Sequence, residues 1–312
     1  MSFFELYNKF ALCPRQCGVD RSAGQKGYCR AGTDAEVVLT MLHRWEEPCI
    51  SGTDPARGSG AIFFARCTLG CVYCQNFAIS RPDGPEPGTP VTIADADRLA
   101  AMMLELEARG AYNINLVTPT QFMPVIAEGV LAARRRGLNV PIVYNTGGFE
   151  RREIVKRLEG IVDVFLTDMK YNSGDAAARY SAAGNYCTSA WAALRTMFRI
   201  TGEGLTFDGD GMLRRGVVVR HLVLPGRSFA AVNVIKKLYS RFGDNVIYSL
   251  MNQYTPLPAG NPRLSRFPEL LEPVSEAEYA RAVSVLDSLA PAHAYVQEGG
   301  TISESFIPVW QQ

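Results

Sequence analysis

The chain has 312 residues, 47% of them hydrophobic and 20% charged, with a formal net charge of +1. That length buries a substantial core, as one large domain or one domain with an appendage, and the composition is that of an ordinary soluble globular protein. The balanced charge offers no basic footprint for nucleic acid, and no apolar run reaches the roughly 18 residues of a membrane span. Residues 1–12, "MSFFELYNKFAL", carry charges and no small-residue cleavage site, so they do not read as a signal peptide. The chain is therefore expected in the cytoplasm, where clustered cysteines bind metal more often than they pair. Cys13, Cys17, Cys29 and Cys49 fall in a stretch poor in regular periodicity, and "SGTDPARGSG" (51–60) reads as a connector. This predicts a cysteine-rich segment with its connector over 1–58 and a core over 59–312.

Within the core, "AIFFA" (61–65) is the first short buried strand. A helix over 93–109 follows, with Thr92 as its N-cap, Asp95 three residues on and Gly110 beyond its end. Strand "NINLV" (113–117) precedes a helix over 123–136, whose three final arginines suit the negative end of the helix dipole. Strand 141–145, helix 150–159, strand 162–168, helix 187–199, strand 217–224, helix 229–242, strand 246–251, helix 275–289 and strand 294–297 continue the alternation. Such repetition argues for an α/β fold with a parallel sheet, either curved into a partial barrel or open and doubly wound.

The segment "ARCTLGCVYCQN" (65–76) sets Cys67, Cys71 and Cys74 in a C-x3-C-x2-C spacing directly after the first core strand. Barrel and open-sheet enzymes place their chemistry at that end of a strand. Three thiolates hold three irons of a [4Fe–4S] cluster and leave the fourth open to a substrate or cofactor, whereas an electron-transfer cluster normally has four protein ligands. A zinc ion with a distant fourth ligand is the competing reading. Gly70 gives the loop conformational freedom, and Tyr73 brings an aromatic ring to it. Farther on, alternation puts Asp168 and Lys170 of "TDMKY" on one face. The glycines after Asn145 and Thr146 in "YNTGGFE" read as a tight turn. Thr118, Thr120 and Gln121 offer neutral acceptors or simply mark a helix N-cap. Arg220 and His221 point to opposite faces, His221 as a core residue; Asn252 and Tyr254 share a face. Cys187, alone on a helical pattern, reads as core.

The cysteine motif with Gln75 and Asn76, together with "CPRQCGVDR", "GQKGYC", "HRWEEPCISG", "NINLVTPTQF", "VYNTGGFE", "DVFLTDMKY", "RGVVVRHLVLPG", "MNQYTPL" and "VQEGGTISESFIP", resembles the radical S-adenosylmethionine (SAM) enzymes. Among them it is similar to the proteins related to pyruvate formate-lyase activating enzyme, over nearly the whole chain. The resemblance implies a partial (β/α) barrel of the radical SAM type with a small N-terminal cysteine-rich segment. It implies a [4Fe–4S] cluster on Cys67, Cys71 and Cys74 whose open iron chelates the amino and carboxylate groups of SAM. One electron from outside, carried by a donor such as flavodoxin or ferredoxin, would cleave the sulfonium bond to a 5′-deoxyadenosyl radical that abstracts hydrogen.

By the same resemblance, Lys170 meets the SAM carboxylate and Asp168 helps order the site. Thr118, Thr120 and Gln121 stand where most such enzymes have a Gly-Gly-Glu-like segment at the SAM amino group. Asn145 stands where the family usually carries Asp in a monovalent-cation site. Arg220 is placed on the SAM side, Asn252 and Tyr254 against adenosine or substrate, and residues 297–306 across the mouth of the sheet. Cys13, Cys17, Cys29 and Cys49 read as a metal staple, for which zinc and an auxiliary iron–sulfur cluster both fit. Relatives often carry a further cysteine where Phe10 stands. The most specific substrate is a glycine of a glycyl radical enzyme. A different peptide, a small molecule, or a non-catalytic iron–sulfur or zinc binding module are the alternatives.

Overall fold

The structure, a computed structural model, describes residues 3–9, 11–256, 264–298 and 310. Ten strands form one sheet: β1 (Ala35–His43), β2 (Gly58–Phe64), β3 (Thr92–Ala94), β4 (Ala111–Val117), β5 (Ile142–Thr146), β6 (Val164–Asp168), β7 (Thr206–Phe207), β8 (Leu213–Leu222), β9 (Ile247–Met251) and β10 (Ala294–Val296). The helices are α1 (Pro48–Ser51), α2 (Phe77–Ser80), α3 (Ala96–Ala108), α4 (Met123–Arg135), α5 (Arg152–Val155), α6 (Gly174–Ser181), α7 (Tyr186–Ile200), α8 (Ser228–Phe242) and α9 (Glu276–Leu289). None of the described helices is long and apolar enough to cross a membrane.

The strand order is β10-β9-β8-β6-β5-β4-β2-β1-β3, with β7 added antiparallel to β8. From β2 through β10 the principal strands run parallel and in chain order. A doubly wound sheet would reverse its order at a switch point. This one does not, so the fold is an α/β partial barrel.

Two apolar layers follow from the alternation along each strand. On β8, Val217 and Val219 belong to the outer core, with Leu99 and Met103 of α3, Val130 of α4, Leu194 of α7 and Leu238 of α8. Val218, between them, faces inward and meets Val143, Val164, Leu166 and Ile247. That inner layer is closed by Cys49 and Ile50 of α1, which plugs the concave side of the sheet.

The structure departs from the expected segmentation near the N-terminus. β1 pairs antiparallel with both β2 and β3, so residues 35–51 contribute a strand and a core plug rather than a separate cysteine-rich unit. Thr92 lies in β3, opposite Val37, and the cap of α3 is Asp95, whose carboxylate accepts the Arg98 N–H at 2.8 Å. The expected helix over 150–159 is the short α5 followed by a 3-10 turn, Lys156–Leu158. The irregular residues 11–34 lie over the C-terminal side of the strands. Arg15 donates to the Thr68 carbonyl (2.6 Å), Arg21 to that of Gln121 (2.6 Å), and Arg151 to that of Ala11 (2.6 Å).

Candidate active site

On its concave side the sheet opens into a cavity of about 590 Å³, within the usual range of small-molecule sites. Cys67, Cys71, Cys74, Thr118, Thr120, Asn145, Asp168, Lys170 and Arg220 all line it. The loop carrying the cysteines starts on unusual backbone: Arg66, just past β2, has φ 67°, and Thr118, just past β4, has φ 60°. Both values are costly for residues with a Cβ and persist only where the surroundings impose them. Here the buried Gln121 amide imposes them, donating to the carbonyls of Ala65 (2.9 Å), Arg66 (3.1 Å) and Thr118 (2.8 Å). Gln121 thus fixes the root of the loop, and its amide nitrogen is fully engaged there.

The far side of the loop rests on α6. Gly70 and Val72 donate their N–H groups to the carbonyls of Ser181 (3.1 Å) and Tyr180 (2.9 Å). A Cβ on Gly70 would lie 2.5 Å from the Tyr28 hydroxyl, so a larger residue would displace that side chain; close approach, rather than turn freedom, favours glycine there. Each sulfur has a hydrogen-bond partner. The Leu69 N–H points at Cys67 (3.4 Å), the Ser181 hydroxyl lies 2.9 Å from Cys71, and the Ser80 hydroxyl donates to Cys74 (3.3 Å). The Ser181 hydroxyl continues through Tyr171 (2.5 Å) to Tyr73 (2.8 Å). Burial pushes the Cys67 and Cys71 thiols up, and the Lys170 ammonium opposes that shift at both. Hydrogen-bond donors and a nearby cation suit sulfurs that carry charge as thiolates. The donor set therefore fits a metal cluster.

Lys170 pairs with Asp168. Burial alone would lower the lysine, but Asp168, Cys71 and Tyr186 together outweigh it and hold the ammonium charged. The pair is seated by Tyr186, whose hydroxyl accepts the Lys170 N–H (3.0 Å) and lies 2.9 Å from the carbonyls of Gly147 and Asp168. Gly148, at φ 79°, leaves room for that approach, because a Cβ there would come within 2.2 Å of the Asp168 carbonyl oxygen.

Arg220 has partners that its sequence position does not announce. Its guanidinium meets Glu47 through two bonds (2.7 and 2.5 Å) and also pairs with Glu46. The Glu46 carboxylate accepts in addition from the amides of Asn115 (2.8 Å) and Asn145 (3.3 Å). Burial would raise the Glu47 carboxyl, yet Arg220 and a bond from Ser249 hold it below the usual range. Thr120 also turns to a protein partner: its hydroxyl donates to Glu150, as does that of Thr146 (2.6 Å). Burial raises the Glu150 carboxyl to about 7 against those two bonds.

Other expected contacts lie elsewhere. Tyr254 does not line the cavity; it is 2% exposed, and its hydroxyl donates to the Leu270 carbonyl at 2.5 Å. β9 ends at Met251, so strand alternation no longer directs that side chain, and Gln253 lines the cavity instead. His221 is buried with Nδ1 2.6 Å from the Met169 carbonyl oxygen. The stretch expected to close the mouth lies, from residue 299 onward, outside the described residues, as does Phe10.

The four N-terminal cysteines are not brought together. Cys49 sits in the inner core with Ile50, because α1 carries it to the concave face. Cys13 and Cys29 are buried and Cys17 half-buried; Cys29 and Cys17 both stand near enough to Cys13 to act on its thiol. The Cys17 sulfur accepts the Tyr28 N–H (3.3 Å) and the Cys29 sulfur accepts from Arg21 (3.1 Å), while burial pushes the Cys13 thiol up to about 12. Among the described residues, no three or more Cys, His, Asp or Glu side chains are grouped to hold a metal ion. Sulfurs around a single tetrahedral zinc, with bonds of about 2.3 Å, must stand within about 4 Å of one another. The thiolates of a multi-iron cluster bind separate irons and need not.

No family model matches the chain. It is similar to an uncharacterized protein of Methanocaldococcus jannaschii, 26% identical over 253 residues that cover 80% of this chain and 67% of that protein. Among solved structures it is similar to Streptococcus suis SuiB bound to precursor peptide SuiA, at 8% identity and a TM-score of 0.48, covering 75% of this chain and 47% of that one. It is similar also to a radical SAM methyltransferase from Sphaerobacter thermophilus, at 16% identity and a TM-score of 0.47, covering 80% and 70% of the two chains. The chain thus spans about half the length of SuiB.

Proposed function

We propose that this chain is a radical SAM enzyme whose Cys67, Cys71 and Cys74 hold a [4Fe–4S] cluster, and that it initiates hydrogen abstraction from a protein glycine. The observation that carries the reading is the meeting of three hydrogen-bonded sulfurs and the Asp168–Lys170 pair in one cavity. When bound, the cluster supplies the electron that cleaves the sulfonium of SAM. The chain's own residues do the rest. Lys170, kept charged by Asp168, offers an ammonium to the SAM carboxylate. Arg220 is held between two carboxylates, Glu46 and Glu47, whereas Lys170 faces one, Asp168, which leaves Lys170 the better placed of the two cations for that task. Thr118 and Asn145 present uncharged polar groups to the cavity.

The glycine substrate rests on the sequence resemblance to glycyl-radical-enzyme activases, and the external one-electron donor on the same ground. The test is anaerobic reconstitution followed by iron analysis, electron paramagnetic resonance and assay of SAM cleavage to methionine and 5′-deoxyadenosine. The variant with Cys67→Ala, Cys71→Ala and Cys74→Ala should lose the cluster and the cleavage together; full retention of both ends the proposal. Mixing the loaded enzyme with glycyl radical enzymes then tests the substrate, through the appearance of a glycyl radical signal.

A further inference from the structure

Three buried hydroxyls form a chain that ends on a cysteine sulfur. The Tyr73 hydroxyl lies 2.8 Å from that of Tyr171, which reaches the Ser181 hydroxyl, which in turn lies 2.9 Å from the Cys71 sulfur. All three residues are buried. Ser181 is the last residue of α6, and its carbonyl also accepts the Gly70 N–H, so it grips the cysteine loop at two points. Tyr171 is fixed between two rings, stacked on Tyr180 and meeting Tyr186 edge-on at 5.3 Å. Tyr73 belongs to the loop itself and lines the cavity.

Packing does not account for these hydroxyls. Phenylalanine at positions 73 and 171 and alanine at 181 would leave the rings and the helix end in place without the cost of burying polar groups. The sulfur at the end of the chain gives them a direction. A hydroxyl has one proton to donate. Cys71, bound to iron as a thiolate, only accepts, so Ser181 donates to it. The Ser181 oxygen then accepts from Tyr171, and the Tyr171 oxygen from Tyr73. All three protons point towards the sulfur, and each bond polarises the next. Hydrogen bonds to cluster sulfurs favour the reduced, more negative state.

We propose that Ser181, backed by Tyr171 and Tyr73, is a positioning residue for the electron that enters the site: its hydroxyl on Cys71 raises the reduction potential of the cluster. This deepens the reading above, on which it rests for a [4Fe–4S] cluster at Cys67, Cys71 and Cys74. The step is a one-electron reduction by the external donor. The three hydroxyls keep their protons, and only the strength of their bonds changes.

Full-length protein, anaerobically reconstituted, is titrated with a low-potential reductant at fixed pH, and the reduced cluster is followed by electron paramagnetic resonance. Loss of one hydrogen bond should shift the reduction equilibrium by about two- to tenfold. Ser181→Ala should therefore lower the midpoint potential by about 20–60 mV, at about 59 mV per tenfold for one electron. Tyr171→Phe should lower it by less, and should add nothing where Ser181→Ala is already present. Tyr180→Phe removes a hydroxyl from the same stack that donates instead to Glu269 (2.7 Å), and should leave the potential where it is. If Ser181→Ala fails to take up iron, Tyr171→Phe is read alone, and an unmoved potential there overturns the proposal. So does an unmoved or raised potential in Ser181→Ala, a Tyr171→Phe effect of the same size with and without Ser181, or an equal fall in Tyr180→Phe. Iron and sulfide analysis of the wild type is a separate readout. Zinc in place of iron at the three cysteines ends the parent reading and this inference with it; a full cluster whose potential ignores the variants ends this inference alone.

Discussion

Replacing Arg220 by methionine should strand two carboxylates inside the sheet. The side chains of Arg220, Glu46 and Glu47 are 14%, 8% and 5% exposed, and the guanidinium meets both acids. Removing one member of a buried ion set costs about 3–5 kcal/mol, because its partner stays desolvated with nothing opposite. Two stranded acids push Arg220→Met toward the upper end. The Asn115 and Asn145 amides, still bonded to Glu46, recover part of that. At roughly 2–3 °C per kcal/mol the melting temperature should fall by about 6–15 °C. The sign of the pH dependence is equally specific. In the wild type, Arg220 holds the Glu47 carboxyl low, so its stabilisation is present above the unfolded carboxylate range and lost in acid. In the variant the bond from Ser249 remains, but burial, the largest influence on Glu47, raises that carboxyl above its unfolded value. The deficit should therefore be largest near neutrality and shrink as the pH falls through the carboxylate range. Urea denaturation at about pH 7.5 and about pH 5 measures both. Adding Glu46→Gln and Glu47→Gln to Arg220→Met should restore most of the loss. A single variant within about 1 kcal/mol of wild type at neutral pH, or a deficit that grows in acid, refutes the reasoning.

Lys170→Ala should leave the cluster intact and weaken SAM binding by about 1.5–3 kcal/mol, roughly 10- to 150-fold; unchanged affinity in calorimetry assigns Lys170 a purely structural role. Because burial pushes the Cys67 and Cys71 thiols up, iron must displace protons to bind, and incorporation into apoprotein should rise between about pH 7 and about pH 9. A flat profile would contradict it. The Glu150 carboxyl, raised to about 7 from 4.5, should cost stability as the pH climbs from its unfolded value through its folded one. Glu150→Gln should flatten that slope and gain about 3 kcal/mol above neutrality, with no gain in acid, by denaturation at both extremes. Cys13→Ala with Cys17→Ala should lower both the melting temperature and any metal held by the N-terminal segment. Cys49→Ala should cost about 1–2 kcal/mol through its core packing and leave metal content untouched. Metal lost from the Cys49 variant would return that residue to the set.

The strands of the parallel core were legible because their apolar runs are continuous, and the long helices because their apolar positions recur at helical spacing. β1 was not. It pairs antiparallel on both sides and has four half-exposed residues in succession, so it shows neither a buried run nor clean alternation. Barrel or doubly wound was undecidable from pattern because strand order is a tertiary fact. In the site, the cysteine motif and the Asp168–Lys170 pair could be read because their residues are sequence neighbours. Glu46 and Glu47 could not, since the residue that gives them meaning lies 174 and 173 positions away. Tyr254 was misjudged by extending alternation past Met251, where the strand ends. Cys49 was misjudged because spacing says nothing of a helix that turns back into the sheet.

The plug formed by α1 also sets a schedule for biosynthesis. Ile50 emerges from the ribosome early, but Val218 and Ile247, which share its core cluster, emerge 168 and 197 residues later. Until then the plug is seated on one side only, where Asn113 donates to the Ile50 carbonyl (2.6 Å) and Val143, Val164 and Leu166 meet it, and the acids beside it lack their cation; closing so long a loop is slow. A nascent chain that stalls before β8 would display an unfilled apolar trough, with unpaired sheet edges and reduced thiols beside it. Such a species invites aggregation and chaperone capture. A ribosome-bound chain arrested before residue 213 should be cleaved readily by protease around residues 44–52, and the same stretch should become resistant once β9 has cleared the exit tunnel.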